Sequence, residues 1–139
     1  MRVGGAKNHR NTLEDGILIK DNHIRIAGGI KEALAKAKKG SFTKKVEIEV
    51  ESAEDARIAA ENGADIVMLD NMPPDMMAAV VAELRSNPKT AHVLFEASGG
   101  VRIETIAATA ATGVDLISVG ALTHSAPVLE IGADLRPLD

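Results

Sequence analysis

Short apolar runs alternate along the chain with longer stretches in which apolar residues recur every three or four positions. Residues 46–51, Val-Glu-Ile-Glu-Val-Glu, alternate strictly, which is the period of a β-strand. Val46, Ile48 and Val50 share one face of that strand, and Glu47, Glu49 and Glu51 share the other. Ile17-Leu18-Ile19 before Lys20, Ile66-Val67-Met68-Leu69, and Leu116-Ile117-Ser118-Val119 are largely apolar segments of strand length. Such runs suit a sheet covered on both faces. A further strand is predicted over 92–96.

Between the strands the period changes to that of a helix. Ile30, Ala33, Leu34 and Ala37 follow the Gly28-Gly29 break at helical spacing, and Gly40-Ser41 ends the segment. Ser52 with Asp55 three residues on predicts a capped helix over 53–62, stopped by Gly63. Pro73-Pro74 opens a helix whose apolar face is Met76, Met77, Val80, Val81 and Leu84, closed by Asn87-Pro88. Another helix is predicted over 102–112, ended by Gly113. The tail from Ala121 holds at most one more short helix. Residues 59–67 and 110–117 form a weak internal repeat: a helix end, a Gly stop, an Asp and then a buried strand.

This alternation predicts an α/β fold of right-handed βα units on a parallel sheet. Five units fall short of the roughly eight that close a barrel of about 250 residues. The expectation is therefore part of a TIM-like barrel, lacking its N-terminal side. An open doubly wound sheet is the alternative.

Composition narrows the chemistry. There is no cysteine, which excludes disulfide scaffolds and thiolate metal sites. The two aromatic residues, both Phe, offer no stacking platform for single-stranded nucleic acid, and the net charge of −4 argues against wrapping a phosphate backbone. No apolar run approaches the roughly 20 residues that span a membrane, and no apolar signal segment opens the chain. The expected setting is cytoplasmic, with no nucleic-acid or membrane partner. Within this acidic chain, Lys7, His9, Arg10, Lys20 and His23 cluster around Ile17-Leu18-Ile19, and a local cationic cluster calls for a small anionic ligand.

Ligands of parallel α/β folds sit beyond the carboxyl ends of the strands. There the sequence places Lys20-Asp21-Asn22-His23, Glu49 and Glu51, Asp70-Asn71, Ser98-Gly99-Gly100, and Ser118-Val119-Gly120. Ser98-Gly99-Gly100 and Gly120-Ala121 can offer backbone N–H groups to a phosphate; the same glycines serve equally as tight turns. Glu49 and Asp70 can hold Mg²⁺, directly or through water, or accept from sugar hydroxyls. Glu47, Glu49 and Glu51 inside a barrel would need Lys, Arg or metal partners; on an exposed strand they are a solvated face. Lys7, His9, Arg10 and Lys20 can hold carboxylates, Arg as a bidentate fork and Lys as a point charge. His124 can donate to a phosphate or cap a helix, and His92 reads as structural.

Six motifs in order then carry a resemblance: Gly4-Gly5-Ala6-Lys7-Asn8-His9-Arg10, Leu18-Ile19-Lys20-Asp21-Asn22-His23, Val46-Glu47-Ile48-Glu49-Val50, Met68-Leu69-Asp70-Asn71-Met72, Glu96-Ala97-Ser98-Gly99-Gly100, and Ser118-Val119-Gly120-Ala121-Leu122-Thr123-His124. Together the chain resembles the quinolinate phosphoribosyltransferases of NAD biosynthesis. The resemblance implies transfer of phosphoribose from phosphoribosyl pyrophosphate to quinolinate, with release of pyrophosphate and CO₂, leaving nicotinate mononucleotide, with Mg²⁺ as cofactor. It implies that His9, Arg10 and Lys20 bind the quinolinate carboxylates, with Lys20 also near the pyrophosphate. It implies that Glu49 and Asp70 hold ribose hydroxyls and Mg²⁺, and that Ser98, Gly99, Gly120 and His124 take the 5-phosphate. Lys20, Glu49 and Asp70 are the expected catalytic residues.

In that family an N-terminal α/β domain, the first part of the barrel and a Thr-Arg-Lys-Thr motif precede the Gly-Gly-x-x-Asn-His-Arg motif. Residues 1–139 thus resemble the C-terminal part of the barrel domain, with no second domain in this chain. The resemblance implies a homodimer or higher homo-oligomer that needs the N-terminal domain, and poor turnover of quinolinate by these residues alone. A transferase for nicotinate or another ring acid is an alternative. So is a non-catalytic phosphate-binding half-barrel that pairs with a separate N-terminal half.

Overall fold

Five parallel strands pair in chain order, β1-β2-β3-β4-β5. They are β1 (Ile17–Ile19), β2 (Val46–Val50), β3 (Ile66–Asp70), β4 (Leu94–Ser98) and β5 (Leu116–Ile117). A computed structural model describes residues 2–41 and 43–136. The unbroken order has no reversal point, so successive right-handed crossovers put their helices on one side. The sheet is a partial barrel, and the doubly wound alternative does not hold.

The helices are α1 (Asp21–Ala27), α2 (Ile30–Gly40), α3 (Ala53–Glu61), α4 (Pro74–Ser86), α5 (Ile106–Ala110) and α6 (Ala121–His124). Leu34 of α2, Ala56, Ala59 and Ala60 of α3, and Met77, Val80, Val81 and Leu84 of α4 are buried in one core. Their counterparts on the sheet are Val46, Ile48, Val50, Val67, Leu69, Phe95 and Ala97. The small alanines of α3 let that helix lie close over β2 and β3. Ser52 caps α3 as its sequence predicts: its Oγ accepts from the Asp55 N–H at 3.1 Å and donates to Asp55 Oδ2 at 2.7 Å.

The internal repeat has a structural meaning. Gly63 and Gly113 each end a helix at a φ of 88° and 87° that L side chains rarely adopt. The aspartates that follow reach back to the preceding strand. Asp65 Oδ2 accepts the Val46 N–H at 2.7 Å, and Asp115 Oδ2 accepts the Phe95 N–H at 2.9 Å. Each repeat therefore stitches the start of one strand to its neighbour.

Three boundaries differ from the sequence reading. The strand expected over 92–96 starts and ends two residues later, because residues 87–92 close a turn in which Thr90 donates its hydroxyl to the Leu84 carbonyl. The helix expected over 102–112 is regular only over Ile106–Ala110, and the strand expected over 116–119 only over its first two residues. Helix α1 was not expected: Lys20-Asp21-Asn22-His23 is not a loose strand end but a helix start. The Lys20 N–H donates to His23 Nδ1 at 2.9 Å, which draws His23 back onto the chain.

Candidate functional site

Register fixes what lies on the side of the sheet opposite the helices. Glu49 pairs with Met68, Met68 with Glu96, and Asp70 with Ser98. Side chains alternate along a strand, so the residues between the core positions share this inner face: Glu47 and Glu49, Met68 and Asp70, Glu96 and Ser98. Glu51 lies beyond the end of β2 and is exposed, so it separates from the other two glutamates.

Two groupings occupy this face. At the strand ends, Lys20 Nζ meets Glu49 Oε2 at 2.9 Å. The Lys20 ammonium is held above its usual pKa first by its hydrogen bond to Glu49; desolvation works against this, and the charges of Glu49, Asp70 and Asp21 add to the rise. The predicted trio of Lys20, Glu49 and Asp70 is therefore brought together. Asp70 Oδ2 accepts from the Asn71 side-chain Nδ2 at 2.6 Å. Glu49 and Asp70 supply hard oxygen donors with an oxygen each beyond these contacts, a set that suits Mg²⁺ held directly or through water.

The β3 and β4 ends are locked to one another. The Asn71 N–H donates to the Ser98 carbonyl at 3.0 Å, and Asn71 adopts a left-handed φ of 52°. Gly99, at φ 87°, lies so close that an added Cβ would strike the Asn71 side chain and lie 2.7 Å from its backbone nitrogen. Glycine is required there by space as well as by conformation. The next strand end carries Gly120, which begins α6, and His124 folds back over it; the His124 N–H donates to the Gly120 carbonyl at 3.1 Å. His124 Nδ1 also lies 2.6 Å from Ser125 Oγ. Ser98-Gly99 and Gly120-His124 thus stand on consecutive strands.

The second grouping lies deeper. His9 Nε2 sits 3.0 Å from Glu47 Oε2 and 3.7 Å from Glu96 Oε1. Both glutamates are buried, and the Ser118 hydroxyl bonds Glu96 Oε1. Burial, then the charge of Glu96, pushes the Glu47 carboxyl above the usual range, partly offset by His9. Among the described residues Glu47 Oε1 is buried with no hydrogen-bond partner. His9 thus stands on two carboxylates, apart from the Lys20–Glu49 pair. Arg10 lines the same cavity, together with Lys7, Lys44 and Lys45. Among the described residues Arg10 forms no ion pair. Glu96 was not singled out from the sequence as a site residue, although a glutamate in the middle of a buried strand was the signal available.

Comparison with known proteins places the chain by sequence and by fold. Residues 1–134 match the family described as "Quinolinate phosphoribosyl transferase, C-terminal domain". The chain is 46% identical to a probable nicotinate-nucleotide pyrophosphorylase [carboxylating] of Methanothermobacter thermautotrophicus, over 99% of this chain and 50% of that protein. It is 42% identical to the nicotinate-nucleotide pyrophosphorylase [carboxylating] of Rattus norvegicus, over 96% of this chain and 44% of that protein. The solved nicotinate-nucleotide pyrophosphorylase of Francisella tularensis superposes with a TM-score of 0.80 at 47% identity, covering 88% of this chain and 42% of that one. The chain spans about half the length of the curated relatives it matches.

Proposed function

The chain belongs to the quinolinate phosphoribosyltransferase C-terminal-domain family, and on that premise we propose that it carries the catalytic strand ends of such an enzyme. The reaction joins quinolinate to phosphoribosyl pyrophosphate in NAD biosynthesis and yields nicotinate mononucleotide, pyrophosphate and CO₂. The observation that supports this reading is the Lys20–Glu49 pair at 2.9 Å, set beside Asp70 and next to the Ser98-Gly99 turn.

Departure of pyrophosphate leaves positive charge on the ribose. Carboxylates fixed beside that carbon stabilise it without reorganising as the charge develops. Glu49 and Asp70 take that role, and Lys20 holds Glu49 in place while offering charge to the leaving group. Mg²⁺, when bound at Glu49 and Asp70, supplies positive charge that shields the pyrophosphate. His9, Arg10 and Lys20 receive the quinolinate carboxylates. The backbone of Ser98, Gly99 and Gly120, with the His124 ring, receives the 5-phosphate. A homodimer or higher homo-oligomer completed by the N-terminal domain, working in the cytoplasm, is part of the same reading. Among the described residues no helix is long and apolar enough to cross a membrane.

Titration calorimetry in the presence of Mg²⁺ tests it. Quinolinate and phosphoribosyl pyrophosphate should each bind saturably, and Asp70→Asn should weaken phosphoribosyl pyrophosphate at least tenfold while sparing quinolinate. If neither ligand binds, the reading is wrong. A half-barrel that binds phosphate and pairs with a separate half is a second reading. Binding of phosphoribosyl pyrophosphate with no CO₂ release, even when the remaining half of a relative is supplied, supports that one instead. Preference for nicotinate over quinolinate in the same titration would point to a different ring acid.

A further inference from the structure

Glu47 and Glu96 have no part in the reading above, yet they are the most deeply buried acids described. We propose that His9, Glu47 and Glu96 form a binding site for a divalent cation of the Zn²⁺ class, separate from the oxygen pair Glu49 and Asp70.

The first support is geometric. One imidazole nitrogen and one oxygen from each carboxylate all lie within 4.8 Å of one another. A tetrahedral cation with bonds of about 2.0–2.1 Å sets its ligand atoms roughly 3.3 Å apart. The His9 separations of 3.0 Å to Glu47 and 3.7 Å to Glu96 fall on either side of that spacing. Small rotations of these side chains bring the three atoms onto one centre.

The second support is an orphaned atom. The Glu47 side chain is 8% exposed, and among the described residues its Oε1 has no hydrogen-bond partner. Two carboxylates share this buried position, and among the described residues His9 alone forms an ion pair with them. A divalent cation held at Oε2 supplies the missing charge, and it meets the idle Oε1 when Glu47 binds through both oxygens. The Ser118 hydroxyl donates to the same Glu96 oxygen that faces His9 and so fixes its position.

The ligand types choose the ion. Mg²⁺ prefers oxygen alone, whereas an imidazole with two carboxylates suits Zn²⁺ or Co²⁺. His9 is 35% exposed on the open cavity, which leaves an entry path and room for water as a fourth ligand. On binding, Nε2 gives its lone pair to the cation, and any proton it carried leaves to buffer. If His9 also serves quinolinate, as the reading above has it, cation and substrate compete for one ring.

The untagged chain tests the site directly, with no substrate present. Co²⁺ should give visible absorption that saturates at one equivalent and persists in excess Mg²⁺, and Zn²⁺ should displace it. Glu47→Gln and Glu96→Gln should each weaken Co²⁺ at least tenfold while far-UV circular dichroism stays unchanged. In the unsubstituted chain, Co²⁺ should broaden the NMR signals of His9 and Ser118 before those of His92 and His124. Absence of saturable binding overturns the site. Equal binding by both variants, or broadening centred on His23, His92 or His124, also overturns it. A chain that binds Co²⁺ in this way but ignores quinolinate would refute the assigned substrate and leave the metal site standing.

Discussion

The two faces of the sheet use alternate residues of the same strands and follow opposite rules. On β4, Phe95 and Ala97 face the helices and are 0% and 1% exposed. Between and beyond them, Glu96 and Ser98 face inward, where Glu96 is as buried as any core residue yet carries a carboxylate. On β2, Val46, Ile48 and Val50 alternate in the same way with Glu47 and Glu49. One face removes apolar surface from water. The other collects acids at a cost that only specific partners offset. One set of residues thus anchors the strands, and the other sets charged groups on them.

The contrast is sharpest at Phe95. Phe95→Ala should destabilise the chain by about 3–5 kcal/mol in urea unfolding, since it leaves a cavity under the helices and removes the contact with Arg85. A loss under about 1 kcal/mol would break the claim that this face carries stability. Glu49→Gln should do the reverse. Unfolding should be unchanged, quinolinate binding largely kept, and turnover in a chimera supplying the rest of a relative should fall on the order of 10²-fold. Unchanged turnover would return Glu49 to a structural role.

Between these lies Asp115, which ties β4 to α4 by accepting the Phe95 N–H and pairing with Arg85 at 2.8 Å. Asp115→Ala should cost about 1.5–3 kcal/mol near neutral pH. Burial opposes ionisation of Asp115, but the Phe95 N–H and Arg85 outweigh it and hold the carboxyl below its usual range. Its folded value lies below its unfolded one, so its contribution is complete above the unfolded value and fades as pH falls through the folded one. The gap between wild type and variant should therefore close in acid; a gap constant down to pH 2 would rule out the assignment. The smallest effect belongs to Glu47→Gln, which should leave stability within about 1 kcal/mol of wild type or raise it, because it relieves two like charges held out of water.

The helix-covered face was readable from sequence because its signal is periodic. The Val46–Val50 alternation and the 3.6-residue spacing of Met77, Val80, Val81 and Leu84 each repeat within a few residues. The strand-end cluster was readable because Lys20, Asp70 and Ser98 follow segments with strand character and Glu49 falls on the polar side of the Val46–Val50 alternation. Two things escaped. Helix α1 buries none of its own residues, so it leaves no apolar stripe to detect. The His9–Glu47–Glu96 contact joins three segments far apart in the chain, and no local period records where a loop before β1 comes to rest. Glu96 also lies between Phe95 and Ala97, whose apolar character hides its inward direction.

Strand order has a kinetic consequence. Among the described residues each strand pairs only with its neighbours in chain order. None of these pairings has to wait for a distant segment, so for these five strands loop-closure entropy is met in small steps and the sheet can grow unit by unit as the chain emerges from a ribosome. Each new helix closes over the hydrogen bonds laid down immediately before it. The leading edge is open at every stage, and the last strand formed is always the one ready to accept the next.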